Sequence, residues 1–200
     1  MCKKAILVKD YINNKNIDYR FYIAMLYTSS YNIDEENGNY RMFNVEDFFI
    51  HKDEIITKMN ISNPTFDKNF NNFLRTELVY VNEKDDEISI KVKENGKKYT
   101  LLSEYEFEKL IKMSNNEIKT YLAIKFIIAN ETNPKYIKLS AISTMIGLSK
   151  SSAYKTIPKI VSKLSDEGLI KVSIKETKSF IDGKFIKANA YTFKITSQEN

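Results

Sequence analysis

Ser151, Ser152, Lys155, Lys159 and Ser162 recur at intervals that gather them on one face of a helix, with Lys150 and Tyr154 at its border. Ala153, Ile157, Ile160 and Leu164 fall on the opposite face, at the spacing of a buried stripe. Hydroxyls both donate and accept hydrogen bonds, and ammonium groups donate to anionic oxygens. A face of this kind suits phosphates and base edges, so its chemistry is recognition. Lys178, Lys184 and Lys187 extend the basic character downstream, and Thr65, Lys68, Asn72 and Arg75 form a similar polar stripe in the first half.

Residues for bond-making chemistry are not arranged in this way. His51 is the sole histidine and Cys2 the sole cysteine, which argues against a zinc site and rules out an internal disulfide. Five glycines occur and none cluster as a phosphate-cradling loop requires. No nucleophile elbow accompanies His51, which reads as a surface residue. Asp34-Glu35-Glu36 and Asp85-Asp86-Glu87 lack metal-ligand spacing and read as solvated loop charge. The expectation is a protein that is not an enzyme and needs no metal or cofactor.

The elements that must position the first face are marked by local signals. Ile142, Met145 and Ile146 give a short apolar helix face, and Gly147 supplies the positive φ that ends it. Leu148 plugs the angle, Ser149 caps the next helix, and Gly168 stops it. Pro158 lies inside that helix, where it removes a backbone bond and predicts a kink. Lys171 to Lys175 alternates polar and apolar residues, Asp182-Gly183 is a two-residue hairpin signal, and Tyr191 to Ile195 returns. The order is a helix-turn-helix followed by a β-wing.

Residues 59–70 repeat this pattern at an offset of 87 from residues 146–157. Asn60 stands for Gly147, Ile61 for Leu148 and Ser62 for Ser149, and Pro64 suits the first turn of a helix. Phe66, Phe70 and Phe73 take the buried face. Val45 to Lys58 predicts the preceding helix, and Asp18 to Tyr31 an opening one. The stretch from Asn32 to Tyr40 reads as a polar loop or a hairpin. Residues 78–81 and 87–93, then a turn at Glu94-Asn95-Gly96-Lys97 and a return strand over Tyr99-Thr100-Leu101-Leu102, predict a wing. Ser103 to Glu106 and Ser114 to Glu117 are capping boxes, the first starting a linker helix.

The fold expected is α+β, with two tandem winged helix-turn-helix domains: residues 15–102, a linker helix over 103–113, and residues 114–197. Apolar residues make up 42% of the 200, enough for a folded core, and no apolar run is long enough for a membrane span. Residues 114–200 hold 14 lysines against seven acidic residues, a net of +7, while residues 1–113 carry 17 basic and 19 acidic, a net of −2. The salt-dependent share of DNA affinity is therefore expected in the second half.

Residues 99–122 and Gly147 to Ile170 give the chain a resemblance to the replication initiators of plasmids and phages and to primosomal DnaD-type proteins. That resemblance implies sequence-specific duplex DNA binding at a replication origin. The alternatives are a winged-helix transcription regulator, or a structural module that binds protein. Expected partners are double-stranded DNA, a second copy through the first domain, and replication proteins, in the cytoplasm and without a membrane. The DNA-contacting residues expected are Lys150, Ser151, Ser152, Tyr154, Lys155, Lys159, Ser162, Lys178, Lys184 and Lys187, with Thr65, Lys68, Asn72 and Arg75 in the first domain.

Overall fold

The computed structural model describes residues 4–7, 9–28, 30–34, 38–82, 87–93, 97–129, 136–149, 151–181 and 184–196. The protein is of mixed α+β class and divides into two units, Met1–Lys119 and Thr120–Asn200. Divided there, the charge is again −2 and +7.

In the first unit β1 (Lys4–Leu7) precedes α1 (Tyr19–Thr28), β2 (Ser30–Asp34) and β3 (Gly38–Asn44). Then come α2 (Val45–Met59), α3 (Asn63–Leu74), β4 (Val79–Asn82), β5 (Glu87–Lys93), β6 (Tyr99–Leu102) and α4 (Glu104–Leu110). Helix α5 (Asn115–Ala129) begins in this unit. The main sheet is antiparallel, in the order β2-β3-β5-β4. Phe21 of α1 packs 5.2 Å from Phe66 and 5.5 Å from Phe73 of α3, ring centroid to centroid, and all three are buried. Their spacing of seven residues on α3 turns both phenyl rings to one side. The Tyr22 hydroxyl donates to the Lys91 carbonyl and so ties α1 to the sheet.

The turn between α2 and α3 is a Schellman motif. Asn60 has φ 50°, its N–H bonds to the Thr57 carbonyl, and the Ile61 N–H bonds to the Ile56 carbonyl. Ser62 then caps α3, accepting from the Thr65 N–H at 3.4 Å, with Pro64 in the first turn.

The second unit continues α5 and then forms α6 (Leu139–Met145), α7 (Ser152–Lys155), α8 (Ile157–Asp166), β7 (Ile170–Ile181) and β8 (Lys184–Ile195). Its turn is the same motif: Gly147 has φ 74°, its N–H bonds to Thr144 and that of Leu148 to Ser143. Gly168, φ 73°, closes α8 in the same way, with bonds from Gly168 to Ser165 and from Leu169 to Leu164. Ile137, just before α6, bridges antiparallel to Tyr191 of β8. In both units, then, the segment ahead of the helix pair lies beside the second strand of the hairpin that follows it.

Four expectations are corrected. Tyr99–Leu102 is not the return strand of a wing; it pairs with β1, and β5 returns against β4 instead. Nothing local marks this choice, because the partner lies some 95 residues away and strand pairing is decided by burial. Helix α1 ends at Thr28, since Ser30–Asp34 is drawn into the hairpin with β3. The linker helix is shorter than residues 103–113; its Ser103–Glu106 capping box starts it, and it ends at Leu110. The single helix expected between Ser149 and Gly168 is two helices, α7 and α8, parted at Thr156. Pro158 has no N–H to bond the Tyr154 carbonyl, and it sits in the first turn of α8, where none is needed. Residues 94–96 of the turn expected over Glu94 to Lys97, and the turn expected at residues 182–183, lie outside the described residues, while Ile181 pairs with Lys184. No described helix is long and apolar enough to cross a membrane.

Candidate nucleic-acid interface

Helix α8 is amphipathic. Ile157, Ile160, Val161 and Leu164 are buried, and Lys159, Ser162 and Lys163 are exposed on the far side. Ahead of it Ser151, Tyr154, Lys155 and Thr156 are exposed, Tyr154 at 79%. The break at Thr156 divides the sequence-predicted face. Ser151, Tyr154 and Lys155 belong to α7 and the turn before it, while Lys159 and Ser162 belong to α8. An exposed tyrosine beside lysines offers a stacking surface and a hydroxyl next to cationic donors. Lys150 lies outside the described residues, as do the side chains of Ser152, Lys184 and Lys187.

What holds this corner is Ser143, which sequence reasoning passed over. It is fully buried, and its hydroxyl lies 2.8 Å from the Ser149 carbonyl and 3.3 Å from that of Leu148. The hydroxyl donates to these carbonyls in the turn. A small hydroxyl residue inside an otherwise apolar helix stripe was the one available signal. Ser149 places its Oγ 2.8 Å from that of Ser151.

The hairpin behind this corner is long. Each strand has 12 residues, roughly 40 Å at about 3.3 Å per residue. Ile170 and Phe193 anchor its base in the core. From Ser173 to Glu176 four successive residues are exposed, including Ile174 at 60%, so the in-out alternation of a covered strand stops there. Its register sets lysine against lysine twice, Lys171 opposite Lys194 and Lys178 opposite Lys187. Lys171, Lys178 and Lys194 are exposed. Like charges directly opposite repel, so the exposed Lys171–Lys194 pair weakens the hairpin unless an anion lies against it. Lys175, also exposed, has its Nζ 5.6 Å from the Tyr136 ring centroid. Lys171 and Lys194 were missed because their opposition appears only in the register.

The first unit treats its four predicted residues differently. The Thr65 hydroxyl lies 2.9 Å from the Ser62 Oγ and belongs to the helix cap. Lys68 is exposed. Asn72 and Arg75, though exposed, line a cleft of about 500 Å³. Asp67 pairs with Lys52 of α2 at 2.7 Å.

Two groups in this unit have shifted pKa values. Burial raises the Tyr19 hydroxyl well above its ordinary value, with Tyr22 and Tyr11 adding to the shift. Burial lowers Lys119, against a raising influence from Asp18; its Nζ donates to the Asn14 carbonyl at 2.9 Å and stands 5.8 Å from the Tyr19 ring. His51 Nδ1 lies 3.5 Å from Glu54 on the surface of α2. Among the described residues no group of three or more His, Cys, Asp or Glu side chains could hold a metal ion. No protein-family model, curated protein or solved structure matches the chain.

Proposed function

We propose that the chain is a non-enzymatic, tandem winged-helix protein that binds double-stranded DNA with sequence specificity, led by its second unit. The observation that carries this is the hairpin register, which sets the exposed Lys171 directly opposite the exposed Lys194 and pairs Lys178 with Lys187 along the backbone. A polyanion laid along the hairpin turns the repulsion between Lys171 and Lys194 into attraction. The exposed Tyr154, Lys155 and Lys159 belong to the same unit, whose net charge is +7. The common order of the two units, helix, strand segment, helix pair and hairpin, supports the tandem reading. The resemblance to plasmid and phage initiators supports action at a replication origin.

The test uses the full chain on duplex DNA from around its own gene, followed by footprinting and by titration across salt. Lys155→Ala weakens binding by about 1–3 kcal/mol and relaxes sequence preference if it reads a guanine. Lys171→Ala or Lys194→Ala weakens all duplexes alike and lowers the salt slope by about 1. Direct repeats under the footprint support an origin, and a palindrome in the gene's own promoter supports a regulator. A folded protein that binds no duplex at low salt overturns the proposal.

A further inference from the structure

The cleft of about 500 Å³ in the first unit falls within the roughly 300–1,000 Å³ common for small-ligand sites. Its lining divides into fixed and open groups. Asn115 is fixed: its Oδ1 accepts from the Tyr19 N–H at 2.8 Å and its Nδ2 donates toward the Ile17 carbonyl at 3.5 Å. The Asp18 carboxylate is fixed by Arg20, with one oxygen 2.9 Å from the guanidinium and the other accepting from the Arg20 N–H. Thr76 donates its hydroxyl to the Phe73 carbonyl at 2.8 Å. The side chains of Lys15, Asn69, Asn72 and Arg75 make no hydrogen bond or ion pair with the described residues, and they line the same space.

The open set has a definite chemistry. Lys15 and Arg75 are two cations, and the one carboxylate among the lining residues is already paired with Arg20. That combination favours an anion, and a guanidinium presents the paired donors that match phosphate. Asn69 and Asn72 stand three residues apart on α3, so their amides are neighbours on one helix face. An amide both donates and accepts, the complement of a base edge, and asparagine suits the adenine edge in particular. The polar lining disfavours a lipid-like ligand.

We propose that this cleft binds a nucleoside phosphate, with Lys15 and Arg75 on the phosphate and Asn69 and Asn72 on the base, adenine preferred. The same chemistry is presented by a free nucleotide and by an unpaired residue of a DNA strand. The inference does not depend on duplex binding by the second unit.

The full chain is titrated calorimetrically with dAMP, with inorganic phosphate and with a short single-stranded oligo-dA. dAMP is expected to bind at least tenfold more tightly than phosphate. Arg75→Ala and Asn72→Ala should each weaken it at least tenfold while circular dichroism and Tm stay unchanged, since neither side chain has a hydrogen bond or ion pair among the described residues to lose. Lys171→Ala should weaken duplex binding and leave dAMP binding unchanged, which separates this site from the hairpin. Tighter binding of the oligonucleotide, lost with the same two variants, assigns the site to a strand. Tighter binding of dAMP assigns it to a free nucleotide. The proposal is overturned by no binding of either, by phosphate binding as tightly as dAMP, or by affinities that neither variant changes.

Discussion

Both Schellman turns lead into a helix, and the two helices differ at a proline. In the first unit Pro64 lies in the opening turn of α3, and twelve residues run on unbroken from Asn63 to Leu74. In the second Pro158 lies seven residues further along the repeat, and the helix is parted at Thr156. A proline in the opening turn removes an N–H that needs no partner; Pro64 opens α3 in this way, and Pro158 meets the same condition because α8 starts anew at Ile157, apart from α7. The two units also differ in what they bury. Helix α3 buries Phe66 and Phe73, and α8 buries Ile157, Ile160, Val161 and Leu164. The same chain plan thus gives one unbroken, near-neutral helix lining a cleft and one divided helix with exposed lysines on one face.

The largest test of this contrast is the core. Phe73→Ala should cost about 3–5 kcal/mol and Leu164→Ala about 2–5 kcal/mol, measured by denaturant unfolding. A loss below about 2 kcal/mol at either position would mean that the residue does not anchor its unit's core. The turns come next. Gly147→Ala should cost about 1–2 kcal/mol, because a Cβ must enter the left-handed region, while Asn60→Gly should change stability by only a few tenths. Equal effects would mean that the two turns are not equivalent.

The prolines give a smaller and more specific difference. Pro158→Ala should join α7 to α8 and raise the helical circular dichroism signal, with stability moving by no more than about 1 kcal/mol. Recovery of the Tyr154 carbonyl bond is offset by a freer unfolded chain. Pro64→Ala should leave the signal unchanged and lose about 0.4–1 kcal/mol. The last difference is in pH. Tyr19, whose folded pKa is raised, gives stability that is complete below its ordinary value near 10 and is lost as pH climbs above it. Lys119 is lowered, so its burial penalty eases as pH rises toward 10.5 and partly opposes the loss. Tyr19→Phe should therefore flatten the alkaline loss of stability, read as Tm against pH from 9 to 11.

Local order was legible from residue types. Asn60, Gly147 and Gly168 take the left-handed conformation, and Ser62, Ser103 and Ser114 cap the helices that follow them. Short-range hydrogen bonds and allowed φ values fix such features within a few residues, so the sequence carries them openly. The amphipathic stripe of α8 was legible for the same reason, through its period.

Pairing and concavity were not legible. Residues 99–102 have strand character under either pairing, and only competition for burial set them against β1. Lys171 faces Lys194 through a register fixed by the whole hairpin, and a shift of one residue would have dissolved that pair. Asn72 and Arg75 share a helix face in the sequence. They became part of a cleft only when the segment around Lys15 and the start of α5 closed over α3. The sequence determined which groups are polar, charged and helical. The tertiary structure alone decided which of them meet, because those contacts join residues tens of positions apart and depend on the free energy of packing the unit as a whole.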